Sequence, residues 1–140
     1  MADIRQVTPN FAVAPQIEAD DFTTLASLGY TIVINNRPDG ESPGDIQSAE
    51  AQAAAEAAGL AFIYAPFVGP PPPQAIEAVI QAGQGPVLAY CRSGTRSVTA
   101  WAIAQAKTGQ LNVDGIVAAA RGAGYDLGGL KDLLRSLSAK

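Results

Sequence analysis

Residues 87–97 read Val87-Leu88-Ala89-Tyr90-Cys91-Arg92-Ser93-Gly94-Thr95-Arg96-Ser97. The first four residues form a continuous apolar run, which is typical of a strand buried on both faces. A short loop with one glycine follows, and apolar spacing predicts a helix over 95–108. A buried strand, a loop and a helix in this order are the building unit of parallel α/β sheets.

The same alternation extends outward from this unit. Two short strands with a turn at Pro9-Asn10 are predicted over 3–14, and further strands over 31–35 and 60–64. The other predicted helices span 18–28, 47–58, 74–82, 113–121 and 127–137. We therefore predict an α/β three-layer sandwich, in which a central, mainly parallel sheet of four to five strands carries helices on both faces.

The composition limits which functions are open to this chain. With 140 residues and 48% apolar side chains, a single domain over 1–140 is expected. The net charge of −4 argues against binding of nucleic acid, which needs clustered lysine and arginine. The sequence has no histidine, so catalysis by Ser-His-Asp or Cys-His and zinc bound by histidine are excluded. A single cysteine excludes an internal disulfide and a cysteine-cluster metal site.

Targeting patterns are also missing from the sequence. The first residues lack the basic and apolar segments of a secretory signal, and no apolar run approaches the ~20 residues of a membrane helix. We expect a cytoplasmic protein with no membrane partner, no cofactor and no metal.

Three loops follow predicted parallel strands, at 36–44, 65–73 and 91–96. Open α/β sheets bind ligands beyond the carboxyl ends of their strands. The third loop contains Cys91, so we expect the functional site there, with the Cys91 sulfur facing backbone N–H groups of residues 93–97.

The composition of the third loop indicates an anion-binding site. Backbone N–H groups at a helix N-terminus bind anions, and Arg96 can donate two parallel hydrogen bonds to an oxyanion. Cys91 beside them is expected to be largely thiolate, a nucleophile for phosphorus or sulfur. The alternative is a small buried hydrophobic residue at a strand end. The residues that we predict to bind substrate are Arg92, Ser93, Gly94, Thr95 and Ser97.

Arg37, on the first loop, is a further candidate for substrate binding, and the alternative is a surface arginine paired with Glu41. We expect a small anionic substrate whether Arg37 binds it or pairs with Glu41.

The segment 91–97 resembles the active-site loop of single-domain rhodaneses, in which the cysteine carries a persulfide. It also resembles the phosphate loop of protein tyrosine and dual-specificity phosphatases. Those phosphatases usually place the arginine one residue farther from the cysteine and have histidine where this chain has Tyr90.

The whole chain is similar to the bacterial beta-lactamase hydrolase-like, phosphatase-like domain family, found alone or fused to a persulfide dioxygenase of metallo-β-lactamase type. The resemblance covers nearly all 140 residues and rests on Gln6-Val7, Gly29-Tyr30, 36–41, 58–60 and 90–97. It implies a phosphatase-like α/β fold, a functional link to a persulfide dioxygenase, and an activity described both as phosphatase-like and as sulfur transfer. It does not imply β-lactam hydrolysis, because the required metal ligands are missing from the sequence.

The two chemistries differ in their need for a general acid. A phosphatase of this type usually protonates the leaving oxygen with an aspartate on a neighbouring loop, yet the segment 65–73 contains no acid. Asp39 and Glu41 could substitute, although Pro38-Asp39-Gly40 is also ordinary turn chemistry. Transfer of sulfur from thiosulfate or a persulfide needs no acid, because sulfite and thiolates are stable anions.

We therefore expect a rhodanese-like sulfurtransferase that passes sulfur through a Cys91 persulfide, with Cys91, Arg96 and Asp39 as the catalytic residues. The alternative is a cysteine-dependent phosphatase that hydrolyses phosphate monoesters through a Cys91 phosphocysteine. A third hypothesis is a non-catalytic domain that binds an oxyanion or docks a partner.

Overall fold

The computed structural model describes residues 2–83 and 85–138, and the predicted strands form one sheet within these ranges. The strands are β1 (Arg5–Thr8), β2 (Phe11–Ala14), β3 (Ile32–Asn35), β4 (Ala61–Tyr64) and β5 (Val87–Tyr90). Their order is β1-β2-β5-β3-β4, with β5 parallel to both neighbours and β3 parallel to β4. Only the edge pair β1–β2 in the described chain is antiparallel, so the predicted mainly parallel sheet is confirmed.

The helices are α1 (Asp21–Ser27), α2 (Ser48–Ala57), α3 (Pro73–Ala82), α4 (Thr95–Thr108), α5 (Val113–Gly122) and α6 (Lys131–Ser138). Helices α1 and α2 cover one face of the sheet, and the remaining four cover the other, which gives the predicted three layers. The helix predicted over 127–137 begins instead as a 3₁₀ turn, Gly128–Leu130. Glycine is a poor helix former, so the α-helix starts only at Lys131.

Alternate residues of the central strands fill two separate cores. Leu88 and Tyr90 pack toward α1 and α2, whereas Val87 and Ala89 pack toward the other helices. Trp101 of α4, which is only 1% exposed, stacks on Phe11 with ring centroids 6.1 Å apart. No helix in the described part of the chain is long and apolar enough to cross a membrane.

Backbone pairing continues past the strand ends and holds the loops against one another. The N–H of Asn36 donates to the Tyr90 carbonyl at 2.8 Å, and the N–H of Ala65 donates to the Asn35 carbonyl at 2.9 Å. On the other side of β5, the N–H of Gln16 donates to the Arg92 carbonyl at 3.3 Å. The loops after β2, β3, β4 and β5 are therefore gathered at one edge of the sheet.

Candidate active site

Cys91 lies directly after β5, at the carboxyl end of the central strand, and its side chain is fully buried. Burial alone would suit a structural cysteine. The sulfur nevertheless faces the loop, because Sγ accepts a hydrogen bond from the Gly94 backbone N–H at 3.1 Å. The sulfur is thus turned toward the loop that precedes α4.

Gly94 is required by its conformation and by its neighbour. Its φ is +94°, in the left-handed region that glycine adopts without strain, and it precedes the first residue of α4. A Cβ at this position would also collide with the ring and hydroxyl of Tyr125. The space beside Gly94 is therefore occupied by a residue of the protein itself.

Arg96 joins the three loops that follow β3, β4 and β5. Its Nη1 donates to Glu41 Oε2 at 2.9 Å and to the Phe67 carbonyl at 3.0 Å, and its Nη2 donates to Glu41 Oε1 at 2.6 Å. Pairing with Glu41 is the main reason that the pKa of Arg96 is raised, and the Cys91 sulfur raises it further by its charge and by hydrogen bonding. The guanidinium thus stands between Glu41 and Cys91.

The bonds to Glu41 and Phe67 leave a definite part of the Arg96 guanidinium for a ligand. A guanidinium has five N–H donors, and these bonds use both hydrogens of Nη1 and one of Nη2. Nε–H and the second Nη2 hydrogen form a parallel fork on the side of the guanidinium that the Cys91 sulfur also contacts. This fork matches two oxygens of a phosphate or similar anion.

Glu41 is held by two arginines. Arg37 Nε donates to Glu41 Oε1 at 2.9 Å in addition to the bonds from Arg96. Hydrogen bonding to Arg96, followed by that to Arg37, lowers the pKa of Glu41 to about 2 despite partial burial. Glu41 is therefore ionised at neutral pH and has no proton to donate there.

Arg37 differs from our expectation that it binds substrate. Its side chain is only 7% exposed, and Nη1 donates to Asp45 Oδ2 at 2.7 Å and to Gln16 Oε1 at 2.8 Å. Arg37 does pair with Glu41, as the alternative predicted, but its side chain is buried and not on the surface. Arg37 thus fixes the loop after β3 instead of reaching the anion site.

Asp39 and Ser97 also have hydrogen-bond partners within the protein. The Asp39 carboxylate accepts hydrogen bonds from the backbone N–H and the hydroxyl of Ser48, at the start of α2. The Ser97 hydroxyl is buried and donates to Asn36 Oδ1 at 2.8 Å. Both side chains thus help to hold the loop after β3.

The remaining predicted residues stay beside the loop. Arg92, Ser93 and Thr95 are exposed, and the Ser93 hydroxyl donates to the Thr95 hydroxyl at 3.1 Å. Among the described residues, no group of three or more acidic, cysteine or histidine side chains is placed to hold a metal ion.

The model of the beta-lactamase hydrolase-like protein, phosphatase-like domain family matches residues 3–108. This chain belongs to that family. The resemblance inferred from the sequence is therefore confirmed, together with the phosphatase-like fold.

Individual relatives of this phosphatase-like domain support the same family membership. A beta-lactamase hydrolase-like protein of Xylella fastidiosa is 35% identical over 129 residues, covering 89% of this chain and 30% of the relative. The chain thus spans only about 30% of the length of that relative. A structure from Neisseria meningitidis, described as a candidate phosphatase, is 32% identical with a TM-score of 0.79, covering 96% of this chain and 97% of the other.

P. aeruginosa TpbA, solved in complex with phosphotyrosine, is similar in fold, with a TM-score of 0.63 and 15% identity over 99% of this chain and 91% of TpbA. This similarity shows a shared fold. The family model and the Neisseria meningitidis structure favour the phosphatase alternative over the sulfurtransferase activity that we expected first.

Sequence reasoning missed several residues of this phosphatase-like domain. They are Glu41 as the partner of Arg96, the Phe67 carbonyl, Asn36 and Tyr125. Glu41 and Asn36 lie in the 36–41 segment that carried the family resemblance, which was the available signal. Tyr125 lies beyond the part of the chain that the family model matches, and nothing in the local sequence marks it.

Proposed function

We propose that this domain is a cysteine-dependent phosphatase that hydrolyses aryl phosphate monoesters through a phosphocysteine on Cys91. The observation that carries the proposal is the position of Arg96. Glu41 occupies one edge of its guanidinium, and the donor fork of Nε and Nη2 remains beside the Cys91 loop. The family membership and the phosphatase-like fold support phosphorus as the electrophile.

The proposed reaction has two displacements at phosphorus. The substrate oxygens bind to the Arg96 fork and to N–H groups at the start of α4, and Cys91 Sγ attacks phosphorus. The S–P bond forms as the ester P–O bond breaks, and the electron pair leaves with the ester oxygen. Water then attacks the phosphocysteine, the S–P bond breaks, and inorganic phosphate leaves as the thiolate is regenerated.

The proposed substrate class follows from the acid groups near the site. Glu41 is ionised, the Asp39 carboxylate is bonded to Ser48, and the segment 65–73 contains no acid. An ester oxygen must then leave unprotonated. A phenol has a pKa of about 10, far below the value near 16 of water, so an aryl ester reacts much more readily than an alkyl ester. Phosphotyrosine, the ligand in the TpbA structure, is an ester of this kind.

Sulfur transfer is the second candidate, because one specific feature favours it. Four residues separate Cys91 from Arg96, as in the rhodanese loop that the segment resembles. Attack of Cys91 on the outer sulfur of thiosulfate would form a persulfide and release sulfite, with no acid needed. A nucleophilic acceptor would then take the sulfur and restore the thiolate.

Substrate comparison and intact mass distinguish these reactions. We expect the wild-type domain to hydrolyse para-nitrophenyl phosphate and phosphotyrosine, and to hydrolyse glycerol phosphate at least ~100-fold more slowly, the low end of the usual contribution of a general acid. Cys91→Ser, which keeps the shape of the side chain, should abolish turnover.

Two outcomes would contradict the phosphatase proposal. If aryl phosphates are inert and thiosulfate adds one sulfur atom to the wild type but none to Cys91→Ser, the domain is a sulfurtransferase. If neither reaction occurs, the loop binds an oxyanion without chemistry.

A further inference from the structure

The segment after α5 returns to the active-site loop. Tyr125, between α5 and the 3₁₀ turn, is 8% exposed and donates a hydrogen bond from Oη to the Ser93 carbonyl at 2.9 Å. Its ring and hydroxyl also occupy the space in which a Cβ on Gly94 would lie. Tyr125 therefore contacts the same turn that presents Cys91.

Two hydrogen bonds act on opposite ends of one peptide group. The Ser93 carbonyl and the Gly94 N–H belong to the same planar peptide, and in a trans peptide they point in opposite directions. Tyr125 Oη binds the carbonyl on one side, and Cys91 Sγ accepts from the N–H at 3.1 Å on the other. A rotation of this peptide about the backbone would break both bonds together.

We propose that Tyr125 is a positioning residue that holds the Ser93–Gly94 peptide with its N–H toward Cys91, and so stabilises the thiolate. The role concerns the nucleophile of the proposed phosphatase function and in that respect rests on it. Tyr125 touches neither substrate nor reacting atoms, because it acts through the peptide.

The surroundings of Tyr125 keep it in the form that can donate. Burial raises the pKa of Tyr125 above its ordinary value, nearby Cys91 and Asp3 raise it further, and Arg5 lowers it. The phenol thus remains protonated at neutral pH. The Arg5 guanidinium carbon lies 5.3 Å from the centre of the Tyr125 ring, and Arg5 is itself paired with Asp3 at 2.9 Å.

Arg96 interacts with Cys91 through its charge, and Arg92 follows Cys91 in the sequence and is exposed; neither arginine is a hydrogen-bond partner of Tyr125. Removal of the Tyr125 hydroxyl leaves these charges in place. A change in Cys91 ionisation would then report on the peptide and not on Arg96 or Arg92.

The test is the pH dependence of Cys91 alkylation by iodoacetamide in Tyr125→Phe, which keeps the ring and loses only the hydroxyl. We expect the midpoint of the rate–pH curve to move upward by about one pH unit, the size expected for weakening one hydrogen bond to a charged group. Tyr30→Phe is the matched control, because it removes a hydroxyl that donates to Gln6 Oε1 at 3.1 Å, on a bond that does not involve the active-site loop. The control should leave the midpoint unchanged.

Amide hydrogen exchange gives a second measurement, in which the wild-type protein already tests the proposal by itself. The Gly94 N–H should be protected in the wild type and lose protection in Tyr125→Phe. The Gly115 N–H, which donates to Asn112 Oδ1 at 2.8 Å, should exchange equally in both proteins.

An unchanged alkylation midpoint in Tyr125→Phe, or an unprotected Gly94 N–H in the wild type, would overturn the proposal. Neither measurement requires phosphatase turnover. Failure of the positioning role can therefore be told apart from failure of the proposed function.

Discussion

Arg96 divides its donors between the protein and a ligand. Nη1 and Nη2 both donate hydrogen bonds to the Glu41 carboxylate, and Nη1 also donates to the Phe67 carbonyl. Lysine could not serve both partners, because an ammonium group has no two parallel edges. Glu41 thus orients Arg96, and it also places a negative charge near the site of an anionic substrate.

The variant Glu41→Gln tests whether orientation or repulsion dominates. We expect kcat/KM for an aryl phosphate to fall by about tenfold or more, since hydrogen bonds between charged groups are worth about 1.5–3 kcal/mol and tenfold corresponds to about 1.4 kcal/mol. Steady-state kinetics measure this, with Glu77→Gln on the outer face of α3 as the control. A kcat/KM equal to or above that of the wild type would mean that Glu41 obstructs the substrate.

At this scale the sequence reveals contacts that are local and misses those that are distant. Cys91, Gly94 and Arg96 stand within six positions, so their shared chemistry could be recognised from the loop alone. Glu41 contacts Arg96 across 55 positions, and Tyr125 contacts Ser93 across 32. Pairings at such distances depend on the order of strands in the sheet, which residue types do not specify.

The helices and strands were predictable because periodicity and breakers are local properties. Strand β5 and helix α4 have the predicted bounds, while α1 is shorter than predicted at its beginning. There the Asp21 carboxylate accepts from the Glu18 N–H at 2.7 Å, and the helix starts only after that turn. Helix α2 is capped by a side chain from the preceding loop. A local sequence pattern does not predict such a contact.

Asp39 caps α2 from the preceding loop, and this accounts for its conformation better than acid catalysis does. Asp39→Ala removes the acceptor for the Ser48 N–H and hydroxyl, so we expect the free energy of unfolding to fall by about 1 kcal/mol. Urea denaturation measures the loss. The rate of aryl phosphate hydrolysis, assayed where the variant is folded, should stay within a few-fold of the wild type.

The rival role for Asp39 predicts a different pattern. A general acid contributes ~10²–10⁴-fold, and the contribution is largest for poor leaving groups. If the wild type hydrolyses alkyl phosphates efficiently and Asp39→Ala loses that activity by such a factor, Asp39 is the acid that the sequence suggested.

For the molecule as a whole, the position of β5 between β2 and β3 brings the separate loops together. Parallel order places all their carboxyl ends on one edge, so the sequence correctly predicted which loops would meet. It did not predict that the loop after β3 would be fastened internally by Arg37, Glu41 and Asp45. Through Arg96, which bonds to Glu41 and to the Phe67 carbonyl, this group of charges is connected to the loops after β4 and β5. We therefore expect its loss to lower the free energy of unfolding of the whole domain.

The pH dependence of unfolding tests that connection. The pKa of Glu41 is about 2 in the folded chain, against an ordinary value of 4.5, so folding favours the ionised form. The resulting stabilisation is complete above pH 4.5 and is lost as the pH falls from about 4.5 to about 2, where Glu41 takes up a proton in the folded state. The difference in free energy of unfolding between wild type and Glu41→Gln should therefore be constant near neutrality and shrink across this interval. Glu77→Gln, which removes a carboxylate that accepts a 3.4 Å bond from Gln81, should differ little from wild type throughout. If the difference in free energy of unfolding between wild type and Glu41→Gln does not change between pH 5 and pH 2, the two arginines do not stabilise the ionised Glu41 in the folded protein.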